Sequence, residues 1–147
     1  MIIHCSNNRT LSIVDRENDG LEIECSLIPY VVMLTAWNSE EVSKILHGNL
    51  VRSLILKGAR NFVCLGALSE QLHDGIDDII YQIDDEIGSE LTSDILTSFH
   101  SDESIEDGVN YYVFGTQFNG QDNSFLLAIL SRGCSEDREV RSFLETA

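Results

Sequence analysis

Few side chains in this sequence combine reactive chemistry with a position at the end of an apolar run. Cys64 lies near the end of one run and His100 ends another, while His73 and Asp74 stand side by side between them. A thiol, an imidazole and a carboxylate can act as nucleophile, base and orienting group when the thiol lies about 3 Å from the imidazole. Cys64, His100, His73 and Asp74 are therefore the candidate catalytic residues. The alternative for Cys64 is a small core residue, because free cysteine is among the most buried residue types.

Three further residues lie where a parallel sheet binds small molecules, in the crevice outside the carboxyl ends of its strands. Trp37 ends the first long apolar run, Gly66 ends the second, and Ser98 lies near the end of the third. An indole at such a position can stack on a flat ligand, although packing in the core is the commoner role of a tryptophan. We predict Trp37, Gly66 and Ser98 as ligand-binding residues.

The sequence predicts no metal site and no cofactor. His73 and Asp77 are four residues apart and share a helical face, but a metal needs three or four converging ligands, so a local side-chain contact is expected. The motifs G-x-G-x-x-G, G-x-x-x-x-G-K-[ST], G-x-S-x-G and H-E-x-x-H do not occur. The turn after the first long run, residues 36–39, has no glycine with which its backbone could approach a pyrophosphate.

The charge balance excludes several classes of partner. Nine lysines and arginines stand against 25 aspartates and glutamates, which gives a formal net charge of −16 and a pI near 4.3. Nucleic acids and anionic membranes are bound largely through clustered cations, so we expect neither as a partner. The acidic residues of two predicted helices suit a basic protein partner, or serve only as a solvated face. The predicted partner-binding residues are Asp77, Asp78, Asp84, Asp85, Glu103 and Glu106.

The elements that position these residues follow from the hydrophobic pattern. Apolar runs predict buried strands at residues 30–37, 61–66, 94–100 and 124–131. Helical periodicity separates the runs; Asn38 or Ser39 can cap the first helix, and Gly48 can split it. Strands that alternate with helices are typical of parallel βαβ units. We therefore predict an α/β fold with three layers, in which an open, mainly parallel four-stranded sheet carries helices on both faces.

The order of the four strands decides whether Cys64 and His100 can meet. In the order third, second, first, fourth, the two residues lie on neighbouring strands about 4.8 Å apart. In a flavodoxin-like order the first strand separates them by roughly 10 Å and places Trp37 between them. The sequence leaves both orders open.

The two ends of the chain predict smaller elements. Residues 1–28 alternate polar and apolar side chains about a turn at residues 15–20, which predicts an N-terminal β-hairpin extension ended by Pro29. Residues 29–147 form the α/β domain, with a short C-terminal helix at residues 135–147. The chain has 147 residues, of which 43% are hydrophobic, and these values fit a single globular domain overall.

The cysteine pattern and the N-terminal residues predict a cytoplasmic protein. The four cysteines are widely spaced without a C-x-x-C pair, which favours free thiols, although a disulfide between Cys5 and Cys25 is the alternative if their segments pair. The first residues lack the pattern of a signal peptide, and no apolar run approaches the roughly 18 residues of a membrane span.

Four short motifs give the chain a family resemblance. They are Trp37 at a strand end and the segments at residues 61–66, 72–77 and 98–103. On these motifs, residues 30–133 resemble a small uncharacterised bacterial α/β domain family. The resemblance implies the fold and a bacterial origin, and it implies no mechanism.

These observations lead to two principal predictions of function. The first is a small acidic cytosolic binding protein of the immunity or inhibitor type, which neutralises a basic toxin or enzyme through its acidic helices. The alternative is a small-molecule-binding or enzymatic α/β domain whose strand-end crevice contains Trp37, Cys64, His73 and His100. A third interpretation is an adaptor subunit whose hairpin pairs edge to edge with another chain.

Overall fold

A computed structural model describes residues 1–17, 30–90, 92–116 and 125–147. The strands of this part of the chain are β1 (Ile2–His4), β2 (Thr10–Asp15), β3 (Tyr30–Thr35), β4 (Ala59–Leu65), β5 (Leu96–His100) and β6 (Phe125–Leu130). The helices are α1 (Ser39–His47), α2 (Leu50–Leu56), α3 (Ser69–Ile87), α4 (Ile105–Phe114) and α5 (Ser135–Glu145). The predicted α/β class is confirmed.

The strands form one six-stranded sheet in the order β1-β2-β6-β3-β4-β5. All neighbouring pairs from β2 to β5 are parallel, and only β1 runs antiparallel to its neighbour β2. The four predicted strands correspond to β3, β4, β5 and β6, and their order is third, second, first, fourth. The prediction of a four-stranded sheet is wrong, because β1 and β2 extend the same sheet beyond β6.

The N-terminal hairpin differs from the predicted one. Its arms are β1 and β2, and it turns between Cys5 and Arg9, where the Cys5 amide donates to the Arg9 carbonyl at 2.9 Å. Strand β2 then pairs in parallel with β6, with Ile13 beside Ala128. The alternating pattern of residues 10–15 therefore predicted a strand correctly, and this strand is one arm of an N-terminal hairpin. The predicted second arm, with Cys25, and residues 18–20 of the predicted turn lie outside the described residues.

The central strands are apolar on both faces because each face has its own core. The core beneath α1, α2 and α3 includes Val32, Leu34, Phe62 and Cys64. The core beneath α4 and α5 includes Val31, Met33, Val63 and Leu65. Residues alternate between the two cores along each strand, as the pleat of a β-strand requires. The sheet is therefore the middle of three layers.

Local polar signals set several helix boundaries. The Asn38 side chain accepts a hydrogen bond from the Glu41 amide at 3.0 Å, and the Ser104 side chain accepts one from the Asp107 amide at 3.1 Å. These N-caps satisfy amides that have no partner within the helix. Gly48 separates α1 from α2, so the predicted first helix is two helices.

Arg9 attaches the N-terminal hairpin to the end of α4. Its side chain is buried, and its Nη1 donates to the carbonyl oxygens of Val113 at 2.9 Å and Thr116 at 2.6 Å. The last carbonyls of a helix have no intrahelical partner, so a cation placed there satisfies them and also suits the negative end of the helix dipole. Within the described ranges, none of the helices has both the length and the apolar character needed to cross a membrane.

Candidate functional site

The predicted crevice at the carboxyl end of the sheet is occupied by the protein's own contacts. Trp37 Nε1 donates to Asp137 Oδ1 at 2.8 Å, and the other oxygen of this carboxylate accepts from the Ser131 amide at 2.7 Å. Asp137 itself is only 1% exposed. The indole N–H of Trp37 is therefore paired with a carboxylate of α5 and is not available to a ligand. Its backbone amide also donates to Glu41 Oε2 at 3.2 Å.

Gly66 brings the loops after β3 and β4 into direct contact. Its φ is +121°, and a Cβ at this position would lie 2.5 Å from the carbonyl oxygen of Ala36. The same carbonyl accepts from the Leu68 amide at 2.9 Å, while the Ala36 amide donates to the carbonyl of Leu65 at 2.8 Å. Glycine is needed here because two backbones pack closely against each other. The presence of Gly66, which was predicted to bind a ligand, is thus explained by packing alone.

Cys64 and His100 do not meet, although their strands are neighbours. Cys64 pairs in register with Phe99, and His100 pairs with Leu65. Because successive side chains on a strand point to opposite faces, Cys64 lies in the core beneath α3 whereas His100 lies on the face of α4. Cys64 is fully buried, and this burial raises the pKa of its thiol far above the usual range. The predicted thiol–imidazole pair is therefore wrong in its geometry.

His73 links α3 to β5 on the opposite side of the sheet from His100. Its Nδ1 lies 2.9 Å from Asp74 Oδ1, its Nε2 lies 3.6 Å from Asp77 Oδ2, and its ring packs edge-on against Phe99 at 5.0 Å. Asp77 also accepts a hydrogen bond from the Thr97 hydroxyl at 2.8 Å. His73 thus contacts both the adjacent and the i+4 carboxylate, and the expected local contact with Asp77 is present. In the described ranges, no three or more His, Cys, Asp or Glu side chains are grouped so that they could hold a metal ion.

The second histidine has a different set of neighbours. His100 Nε2 lies 3.2 Å from the Ser98 hydroxyl oxygen, and its Nδ1 lies 3.0 Å from Glu103 Oε1. The Tyr111 ring of α4 packs against the imidazole, with the ring centres 4.5 Å apart. His100 is 8% exposed, Ser98 is half-buried, and the Glu103 side chain is 45% exposed. The imidazole is therefore held on three sides, and Ser98 as a residue is partly exposed.

The polarity of these two contacts follows from the chemistry of the groups. An ionised carboxylate can only accept, so the contact with Glu103 requires a proton on Nδ1 of His100. In the neutral imidazole, Nε2 then carries a lone pair and accepts the proton of the Ser98 hydroxyl. Ser98, His100 and Glu103 thus have the hydroxyl, base and orienting carboxylate of a nucleophilic relay.

Sequence reasoning placed these three residues in separate categories. Ser98 and His100 occupy positions i and i+2 of one strand, which puts them on the same face, and Glu103 lies in the turn that follows. The spacing S-x-H-x-x-E was the available signal. By residue type alone the thiol of Cys64 is the stronger nucleophile, so the sequence favours Cys64 over Ser98.

The predicted partner-binding residues border the same strand. Four of them lie on α3, Glu103 lies in the turn between β5 and α4, and Glu106 lies in the first turn of α4; together with β5 they form what we call the β5 surface. Asp77 and Glu103 are already bonded to Thr97 and His100, and Asp84 accepts from the Thr92 hydroxyl at 2.8 Å. The other three carboxylates, Asp78, Asp85 and Glu106, are exposed.

The β5 surface also carries much of the exposed apolar area. Nine large apolar or aromatic side chains are exposed among the described residues, and six of them lie on α3, β5 and α4. Leu96 and Phe99 of β5 are 55% and 40% exposed. The other four are Tyr81, Ile87, Tyr111 and Phe114. Exposed apolar groups and acidic groups therefore occur together on the three elements α3, β5 and α4.

Comparison with known sequences places the chain in a family. A family profile described as a domain of unknown function, DUF7684, matches residues 12–147. Neither the curated proteins nor the solved structures gave a significant match. The matched region contains the last four residues of β2 and every described element that follows it, including all of the β5 surface. The chain therefore belongs to the DUF7684 family, a domain of unknown function.

Proposed function

We propose that this protein is a small cytoplasmic binding protein of bacteria, of the immunity or inhibitor type, which neutralises a basic toxin or enzyme on its β5 surface. One observation carries the proposal. Between Arg60 and Arg132 the chain has no lysine or arginine and has fourteen aspartates and glutamates. This stretch supplies α3, β5 and α4, so the acidic groups of the β5 surface have no cation of their own segment to balance them.

The charge is segregated in the fold as well as in the sequence. The ion pairs of the described residues that involve lysine or arginine lie mainly elsewhere, at Arg16 with Glu41, Lys44 with Glu40 and Arg132 with Asp15. Arg52 reaches only Glu86, near the C-terminal end of α3. A one-signed surface accelerates encounter with an oppositely charged protein and repels anions. A basic partner is therefore the class that this electrostatic field selects.

The backbone of β5 offers a way for such a partner to bind. In the part of the chain that the structure describes, β5 pairs with β4 alone and is the last strand of the sheet. An edge strand presents amide and carbonyl groups to which an extended segment can add. Leu96 and Phe99 on this strand provide apolar contact, and aromatic side chains are frequent anchors of protein interfaces.

The proposed inhibitory action is occlusion. A toxin or enzyme that acts on nucleic acid presents a cationic surface to the phosphate backbone, and carboxylates can cover that surface. The same negative field keeps the binding protein itself away from nucleic acid. The cysteines Cys5, Cys64 and Cys134 are free thiols, which accords with a reducing compartment.

The test is affinity capture at low ionic strength, identification of the retained protein, and titration of the purified pair. We expect a retained protein with a pI above about 9 whose dissociation constant rises as salt is added. Two exposed acids of the β5 surface are reversed in the variant Asp78→Lys with Asp85→Lys. The matched control reverses two exposed acids of α5, Glu139→Lys with Glu145→Lys, and changes the net charge equally.

We expect the first double variant to weaken binding at least about tenfold, which corresponds to about 1.4 kcal/mol, and the control to weaken it far less. Equal weakening by both variants would mean that only net charge matters and would refute docking on the β5 surface. Retention of no basic protein at any salt concentration would refute the function itself.

A further inference from the structure

We propose that Ser98, His100 and Glu103 form an acyl-transfer site that hydrolyses small esters. The inference rests on the two measured contacts of His100, at 3.2 Å to the Ser98 hydroxyl and 3.0 Å to the Glu103 carboxylate. It does not depend on the proposed binding function. These distances are the ones that a serine nucleophile, its general base and the group that orients the base require.

The chemistry begins with the polarised hydroxyl. Ser98 Oγ attacks the carbonyl carbon of an ester while its proton passes to His100 Nε2. The imidazolium formed in this step is stabilised by the Glu103 carboxylate on Nδ1, which does not itself take the proton. The bond from the carbonyl carbon to the alcohol oxygen then breaks, and Nε2 returns the proton to that oxygen. The products of this half-reaction are the free alcohol and an acyl ester on Ser98.

The second half-reaction restores the enzyme. Water gives a proton to His100 Nε2 and its oxygen bonds to the acyl carbon. The bond from that carbon to Ser98 Oγ breaks, and Oγ takes the proton back from Nε2. One ester and one water have become one carboxylic acid and one alcohol, so no oxidant, reductant or further reactant is needed.

The surroundings of Ser98 select the substrate. Leu96 lies two residues before Ser98, on the same face of β5, and is 55% exposed, so it offers apolar contact to an acyl chain. Residues 61–131 contain fourteen aspartates and glutamates and no lysine or arginine, and this negative charge disfavours an anionic substrate and repels the carboxylate product. The predicted substrate class is therefore a small ester with an apolar acyl group and a neutral or cationic alcohol.

Another serine–histidine contact in the protein provides an internal control. The Ser43 hydroxyl lies 2.9 Å from Nδ1 of His47 on the exposed side of α1. No carboxylate contact orients His47 among the described residues. A serine–histidine contact without an orienting carboxylate lacks the third member of the relay. Ser43 should therefore stay unreactive under conditions in which Ser98 reacts.

The experiment uses the full chain with two probes. 4-Nitrophenyl butyrate reports hydrolysis by its absorbance, and a neutral alkyl fluorophosphonate labels reactive serines, which peptide mass spectrometry then locates. We expect a fluorophosphonate adduct on Ser98 and none on Ser43. Ser98→Ala should abolish the adduct at that peptide and lower hydrolysis to the background rate, whereas Ser43→Ala should leave both unchanged.

The relay itself is tested by its other two members. Glu103→Gln and His100→Gln should each lower the rate of labelling at Ser98 by about 10²-fold or more. Circular dichroism establishes whether each variant is folded. The Glu103 side chain is half exposed, so Glu103→Gln should fold and can test the relay even if His100→Gln unfolds. Absence of an adduct on Ser98 in the wild-type protein would overturn the proposal. So would labelling of Ser98 that proceeds equally fast in a folded Glu103→Gln protein.

Discussion

Replacing Asp137 by alanine should lower the free energy of unfolding by about 3 kcal/mol. The carboxylate of Asp137 accepts from Trp37 Nε1 at 2.8 Å and from the Ser131 amide at 2.7 Å. A hydrogen bond to a charged group contributes about 1.5 to 3 kcal/mol, and both of these donors are partly buried. Two bonds at the lower end of that range give the stated loss. For a domain of this length it corresponds to a fall in Tm of about 6 to 12 °C.

Urea unfolding measures this loss directly, because Trp37 is the only tryptophan and its fluorescence reports the site. Asp137→Asn keeps one acceptor oxygen and should cost about half as much as Asp137→Ala. Glu139→Ala, on the exposed side of α5, should change stability by less than about 0.5 kcal/mol. Trp37→Phe, followed by circular dichroism, completes a double-mutant cycle in which the two losses should fail to add by at least about 1 kcal/mol. Strict additivity, or a loss below about 1 kcal/mol for Asp137→Ala, would refute the assigned role of this pair.

Three further experiments test other parts of the fold. Gly66→Ala should lower the free energy of unfolding, measured in urea, by about 2 kcal/mol or more, because the φ of +121° is strained for alanine and the new Cβ would lie 2.5 Å from a backbone oxygen. Gly133→Ala is the control: its new Cβ meets nothing within 4 Å, so its effect on stability should be nearly neutral. Arg9→Met should lower the free energy of unfolding by about 2 to 4 kcal/mol, because it leaves buried carbonyls at the end of α4 without their donor. A loss below about 1 kcal/mol in the same urea measurement would contradict the role given to this contact. Iodoacetamide should modify Cys64 only after urea is added, since burial removes access and raises its pKa; modification of Cys64 in the folded protein would contradict its place in the core.

The sequence was sufficient for the strands that carry their own signal. The continuous apolar runs of β3, β4 and β6 predict strands buried on both faces, and the structure has a core on each side of them. The three-residue strand β1 has too few residues to produce an alternation that can be recognised. The place of β2 beside β6 depends on a contact between segments more than 100 residues apart, which no local pattern encodes.

The candidate site shows the same division between local and long-range information. That Ser98 and His100 share a face follows from their spacing on one strand. That Cys64 faces away from them depends on the register of β4 against β5, which pairs Cys64 with Phe99 and Leu65 with His100. A shift of that register by one residue would have reversed the outcome. The register depends on how the apolar residues of both strands fit the two cores, and this fit cannot be read from either strand alone.

The occupied carboxyl end of the sheet explains why the functional proposals lie at β5. In an open parallel sheet the crevice beyond the strand ends is the usual ligand site. Here Trp37 is bonded to Asp137 at that end, and Gly66 allows two loop backbones to touch where a ligand would approach. At β5, by contrast, Ser98 is partly exposed and Asp78, Asp85 and Glu106 of the β5 surface are exposed. Chemistry and binding are therefore expected at the edge strand β5 rather than beyond the ends of the central strands.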